Sequence, residues 1–243
     1  MLTSAAPTTV WSHTTAAGTN RLLLVAVSMN LRNATGTTVT TVTYGGTPLT
    51  LLDAITDAAP DTRTEVWYLL GGPTGANNVI ITMGGITPGE NVESVSSATT
   101  LSNVDQSAPP SAAAVGNGTP ASVTLTGTAA TDLVLDFVGA RETVTLTPPG
   151  TQTQGFNTST GGTNDDIQAA SSGRVAATPN TTMTWTLSAT RRWSHIAVGV
   201  KQATADVEVT QSALPDPVEP GGILTYTFHI QNNGPSSATG VTL

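Results

Sequence analysis

The chain has 243 residues, no cysteine and a net charge of −8, with charged residues at only 10%, against about 25% in an average soluble domain. Disulfides and thiolate metal centres are therefore excluded as supports for the fold. Seven arginines and one lysine, Lys201, form no basic stripe, which argues against nucleic-acid binding, because neutralising phosphate takes clustered cations.

An anionic membrane would repel so acidic a chain. The longest apolar run, Leu22 to Val27, is far short of a membrane span, so no membrane insertion is expected. Met1-Leu2-Thr3 is followed by neither the basic region nor the hydrophobic core of a signal peptide. A secreted form is therefore expected to have lost its signal or never to have included it here. Threonine, at 47 residues, fills much of the gap left by charge. It is β-branched and suits a pleated, half-exposed surface. Together with 24 glycines and 15 prolines, this composition reads as all-β and extracellular.

Strand signals follow one another along the chain, separated by Gly, Pro or Asn. "NRLLLVAVSMN" is a continuous apolar run, as in a strand buried on both faces. "TTVTTVTYGG" alternates and closes on Gly45-Gly46, and "TPLTLL" follows. "TRTEVWYLLGGPTG", "NNVIITMGG", "VESVSSATTL", "ASVTLTG", "TDLVLDFVGA" and "ETVTLTPPG" repeat the pattern. "TTMTWTLSAT" places Met183, Trp185 and Leu187 on one face and Thr182, Thr184 and Thr186 on the other. "WSHIAVGVK" closes the region. No stretch shows a sustained helical period. About a dozen strands at this spacing predict a jelly-roll-like β-sandwich over residues 1–202, with Leu22, Leu24, Val134, Trp185 and Val198 in its core.

Beyond Lys201–Thr204, a short linker, the character changes. Ala205, Val207 and Val209 alternate with Asp206, Glu208 and Thr210. Pro215, Pro217 and Pro220 with Gly221-Gly222 impose an extended, turn-rich connection. Leu224, Tyr226, Phe228 and Ile230 then share one strand face. The pieces "ADVEVT", "PDPVEPGG" and "LTYTFHIQNNGPSSATGV" resemble the start of the conserved Ig-like repeat domain of bacterial and archaeal cell-surface proteins, over residues 205–243. More loosely, "WSHTTAAGTNRLLLVAVS", "VTTVTYGGTPLT" and "TEVWYLLGGPTG" are similar to the β-sandwich modules found beside such repeats. The resemblance implies an incomplete Ig-like β-sandwich at 203–243 and an extracellular structural role, and it carries over no catalytic residue.

Several constellations bear on chemistry. "WSH" occurs at Trp11-Ser12-His13 and again at Trp193-Ser194-His195; if the two met, both imidazoles could share a metal, but a third and fourth ligand are missing. Asp53, Asp57 and Asp61, and Asp165 with Asp166, lack calcium-loop spacing. Asp136 and Glu65 could pair as glycosidase carboxylates only by facing one cleft. No nucleophile elbow, phosphate loop or zinc-protease helix is present. Asn33, Asn117, Asn157 and Asn180 begin N-x-Ser/Thr triplets, which a Thr-rich chain generates by chance. The only lysine open to an isopeptide crosslink, Lys201, lies in the linker. Catalytic, cofactor and metal sites are thus all expected to be absent.

Residues 205–243 are too few to enclose a core by themselves. Their apolar face and open edges are expected to be covered by residues beyond 243 or by β-structure from another chain, as in donor-strand complementation. Leu224, Tyr226, Phe228 and Ile230 are the acceptor-groove candidates. The segment before Arg21 has no charged side chain and could enter such a groove without burying charge. Its Thr8, Val10 and Trp11 are the donor candidates, the alternative being that they form the first strand of their own sandwich. The expected function is a subunit of a pilus-like fibre, a homopolymer built by strand donation. The alternative is a cell-surface adhesion or carbohydrate-binding module of a larger protein, with glycans as its partner.

Overall fold

The structure is a computed structural model that describes residues 2–4, 7–86, 90, 92–234 and 236–242. All regular structure among them is β-strand. The chain divides into two compact units, Met1–Gln202 and Ala203–Leu243.

The first half of the first unit contains β1 (Leu2–Ser4), β2 (Thr8–Thr15), β3 (Leu22–Asn30), β4 (Thr38–Tyr44), β5 (Thr47–Pro48), β6 (Thr50–Thr56), β7 (Thr62–Leu70), β8 (Gly75–Gly84) and β9 (Ser94–Leu101). They form two antiparallel sheets, ordered β1-β9-β3-β7-β6 and β2-β8-β4-β5. The second half contains β10 (Ser111–Asn117), β11 (Ala121–Thr126), β12 (Leu133–Arg141), β13 (Leu146–Thr147), β14 (Thr153–Ser159), β15 (Ile167–Val175), β16 (Asn180–Leu187) and β17 (Arg192–Val200). Their sheets are ordered β10-β17-β12-β15-β14 and β11-β16-β13.

These are two copies of one plan. Leu22 of β3 stands opposite Leu70 of β7 and Leu101 of β9, and Leu133 of β12 stands opposite Val175 of β15 and Val200 of β17. A bulge interrupts β6 between Leu51 and Asp53, opposite Trp67 and Val66. Another interrupts β14 between Gln154 and Phe156, opposite Ser172 and Ser171. Trp67 and Ser172 each lie three residues before the anchors Leu70 and Val175, so the two bulges fall on the same rung. Bulges are specified features of a sheet. Strand order, register and bulge together make the halves an internal duplication, and the extra residues of the bulges, Leu52 and Gly155, are counterparts.

The layering follows from the burial of β3 on both faces. Leu23, Val25, Val27 and Met29 pack with Val42, Tyr44, Val79 and Ile81 of the outer sheet. Leu22, Leu24 and Ala26 point the other way and pack with Phe137, Ile196 and Val198 of the second half. There, Val134 meets Val123, Leu125 and Met183, while Val138 and Ala140 meet Trp185 and Leu187. The unit is therefore four sheets deep, with the two five-stranded sheets inside. Leu22, Leu24, Val134, Trp185 and Val198 are all fully buried. The single sandwich read from the sequence is built as two stacked sandwiches.

The central sheets meet closely around Gly139, where a Cβ would lie 2.9 Å from Ser28 Cβ. Beside it Thr64 Oγ1 bonds Ser28 Oγ at 3.2 Å and Ser194 Oγ at 2.8 Å. At the rim Arg141 pairs with Asp61 at 2.8 Å, and Arg192 with Asp57 and Asp61 at 3.3 and 3.2 Å. Asn30, the counterpart of Arg141, reaches across in the same way and donates to the Asp166 carbonyl at 2.8 Å. The second unit contains β18 (Val207–Leu214) and β19 (Thr225–Asn232), paired as an antiparallel hairpin.

Candidate functional site

Alternation along β19 sends Tyr226, Phe228 and Ile230 to one face, and register places Ala213, Gln211 and Val209 opposite them. Val207 completes this row. The reverse face carries Thr210 against His229 and Ser212 against Thr227. The hairpin is thus apolar on one side and polar on the other. Yet Tyr226, Phe228 and Ile230 are 53%, 48% and 42% exposed, while Leu224 is half-buried just before the strand. Each strand pairs only with the other among the described residues, so each offers an open edge. A two-stranded ribbon in this state is marginal in water. Asn232 ties its end, accepting from Asp206 N at 3.0 Å and Gly234 N at 3.1 Å.

The donor candidates lie elsewhere. Thr8, Val10 and Trp11 belong to β2, where they pair with Thr82, Ile80 and Val79 of β8. Trp11 packs against the outer core, and the Tyr44 hydroxyl donates to the His13 and Gly75 carbonyls at 3.1 and 2.9 Å. Within the single chain this segment is a strand of its own sandwich. It is the edge strand of its sheet, with Val10 48% exposed.

The two "WSH" segments do not meet. His13 on β2 bonds Thr100 Oγ1 at 2.8 Å, and burial holds its pKa below the ordinary histidine value. His195 sits on β17 between β10 and β12. No group of three or more metal-ligating side chains occurs among the described residues. These acids serve their own surroundings. Asp57 Oδ1 accepts from Asp61 N and Thr62 N at 2.6 and 2.7 Å, and Asp53 accepts from Ala54 N. Asp165 pairs with Arg32 at 3.6 Å. Burial would raise the Asp166 carboxyl, but hydrogen bonds from Thr163 and Thr160 outweigh it and hold the group below the usual carboxylate range. Glu93 is pushed up by burial and by the neighbouring Asp166 charge.

Asp136 and Glu65 lie in separate cores. Glu65, 1% exposed, accepts from Val39 N at 3.0 Å, Arg63 Nε at 2.7 Å and Trp67 Nε1 at 3.1 Å. Asp136, on the outer-facing side of β12, accepts from Ser172 N, Ser172 Oγ and Trp185 Nε1 at 2.7, 2.6 and 2.8 Å, with His195 Nε2 at 2.8 Å. Both Asp136 and His195 have no exposed surface. Neither carboxylate can reach a substrate, and they do not flank a common cleft. The buried network was not legible in advance, because its members are 36 to 59 residues apart.

No family model matches the chain, and neither does any curated protein or solved structure.

Proposed function

We propose that the protein is an extracellular structural subunit that assembles with further copies of itself into a pilus-like fibre, β-structure from one copy completing the open, Ig-like hairpin of the next. The observation that carries this reading is the one-sided apolar face of β18 and β19, with Val209, Tyr226, Phe228 and Ile230 42–53% exposed beside two free edges. Covering the exposed half of such side chains is worth about 1 kcal/mol each, and new ladder hydrogen bonds add about 0.5–1.5 kcal/mol apiece. A head-to-tail contact of this kind propagates into an open filament.

The edge of β2, with Val10 outward, is the donor surface that needs least rearrangement, since pairing along it leaves the β2–β8 ladder intact. Acidic, cysteine-free, Thr-rich composition fits an exposed fibre. Electron microscopy and sedimentation of the intact chain test the reading. Filaments are expected at high concentration, and Phe228→Asp is expected to abolish them while leaving the first unit folded. A chain that stays monomeric at high concentration with an ordered hairpin would replace this reading with that of a surface adhesion module.

A further inference from the structure

The duplication makes the halves comparable rung by rung, and in the outer core of the second half three positions break the likeness. Leu49, Val25 and Trp67 of the first half pack together in an apolar core. By register and bulge their counterparts are Gln152, Asp136 and Ser172, all three of them buried. The fold closes at these positions without polar side chains in one half, so the polar trio of the other is not a requirement of the architecture. Burying such groups is costly unless their bonds are made.

The trio is in contact, and its hydrogen bonds fix which atom faces which. Thr184 N donates to Gln152 Oε1 at 2.9 Å, which turns Nε2 towards Ser172 Oγ, 2.7 Å away. An amide nitrogen only donates, so the serine oxygen presents a lone pair to the carboxamide. Its own hydrogen goes to Asp136 Oδ1 at 2.6 Å. Asp136 is held in turn by Ser172 N at 2.7 Å, and by Trp185 Nε1 and His195 Nε2, both at 2.8 Å. A hydroxyl set between a carboxylate and a carboxamide is a nucleophile beside its base. The carboxamide carbon is one bond, about 1.3 Å, from Nε2. A small side-chain rotation therefore brings it to the roughly 3–3.5 Å of a near-attack contact with Ser172 Oγ.

We propose that Ser172 and Gln152 become joined by an intramolecular ester. Ser172 Oγ attacks Gln152 Cδ while Asp136 takes the hydroxyl proton. The Thr184 N–H meets the negative charge that develops on Oε1. Asp136 then gives the proton to Nε2 as the C–N bond breaks, and ammonia leaves. One C–O bond replaces one C–N bond, so the exchange consumes no oxidant and no co-reactant. Ammonia escapes to solvent and is protonated there, which draws the exchange forward, and the dry core keeps water from the ester. The link braces β15 to the turn Pro149–Gln152 ahead of β14, in a chain with no cysteine for a disulfide. The inference is independent of fibre assembly.

Intact-mass spectrometry of the purified, denatured chain tests it. The linked chain should weigh about 17 Da less than its sequence, the mass of the ammonia lost. Cleavage between the two residues, at Phe156, should leave their segments joined as one peptide, and alkaline hydroxylamine should part them. Ser172→Ala removes the nucleophile, and Gln152→Leu copies the first half's Leu49; each should show its full sequence mass. The joined peptide of the unaltered chain decides the matter even if both variants fail to fold. An unaltered chain that keeps its full sequence mass on prolonged storage at neutral pH would overturn the proposal. So would a deficit that persists in Ser172→Ala, which would place the lost ammonia elsewhere, as in succinimide formation at an asparagine.

Discussion

Asp136 Oδ2 lies 2.8 Å from His195 Nε2, and neither side chain has any exposed surface. The same oxygen takes the Trp185 indole N–H, and Oδ1 takes two bonds from Ser172. Ser172 Oγ in turn accepts from Gln152, whose own carbonyl accepts from Thr184 N. The chain β12, β15, β16 and β17 is thus tied by one carboxylate. Asp136→Ala would strand several buried donors in a dry core. The expected loss is about 3–5 kcal/mol in urea unfolding. A loss under about 1 kcal/mol would mean that water reaches the site and takes over these bonds.

Much of this architecture is written plainly in the sequence, and some is not. Leu22–Val27 has no polar residue because both faces of β3 are covered, and that signal reads directly as burial. The Met183, Trp185 and Leu187 row, all buried, follows from period two alone. The stacking of two like sandwiches escapes notice because the copies share register and bulge rather than residues. The repeated "WSH" even points to a false correspondence, since it falls on β2 in one half and on β17 in the other.

Close approach at the centre of the unit predicts a position-specific cost. A methyl group at Gly139 would meet Ser28 Cβ at 2.9 Å and Thr64 Oγ1 at 3.2 Å. Both are held in the Ser28, Thr64 and Ser194 hydroxyl cluster. Gly139→Ala is expected to lower stability by about 1–3 kcal/mol through forced separation of the central sheets. Gly150→Ala, whose added carbon meets nothing within 4 Å, is the control and should change the melting temperature little. Equal effects at both positions would refute the packing argument.

The loop of Asp166 predicts an acid-sensitive rim. Its folded pKa lies below the ordinary value, because bonds from Thr163 and Thr160 favour the anion against burial. A depressed carboxyl contributes stability that is present above the unfolded-state pKa, about 3.9, and is lost as pH falls through the folded value. Asp166→Asn should therefore be less stable than the parent at neutral pH. The gap between the two should close as the pH drops below about 4, read from melting curves across that range. Glu93 works in the opposite sense, raised by burial and by Asp166, so the same variant should bring the Glu93 titration down toward its usual position. A gap that stays constant with pH would exclude the ionised Asp166 as its source.

The hairpin of the second unit predicts two exchange regimes for one chain. In the single chain β18 and β19 pair only with each other among the described residues, and their apolar row, Val209, Tyr226, Phe228 and Ile230, is 42–53% exposed. Such a ribbon opens at little free-energy cost, so its amide hydrogens should exchange within seconds to minutes. The amides of β3, β12 and β17, buried on both faces, should be protected to the level of global unfolding. On assembly, a strand from another copy would pair an open edge and cover the apolar row. Protection should then rise in Val207–Leu214 and Thr225–Asn232, with a matching rise along the outer edge of β2 if that edge is the donor. Phe228→Asp should hold the hairpin in the fast regime at every concentration while leaving β3, β12 and β17 unchanged. Slow exchange in β18 and β19 of a dilute monomer would mean that the hairpin is already complete, and strand addition would then have no open surface to act on.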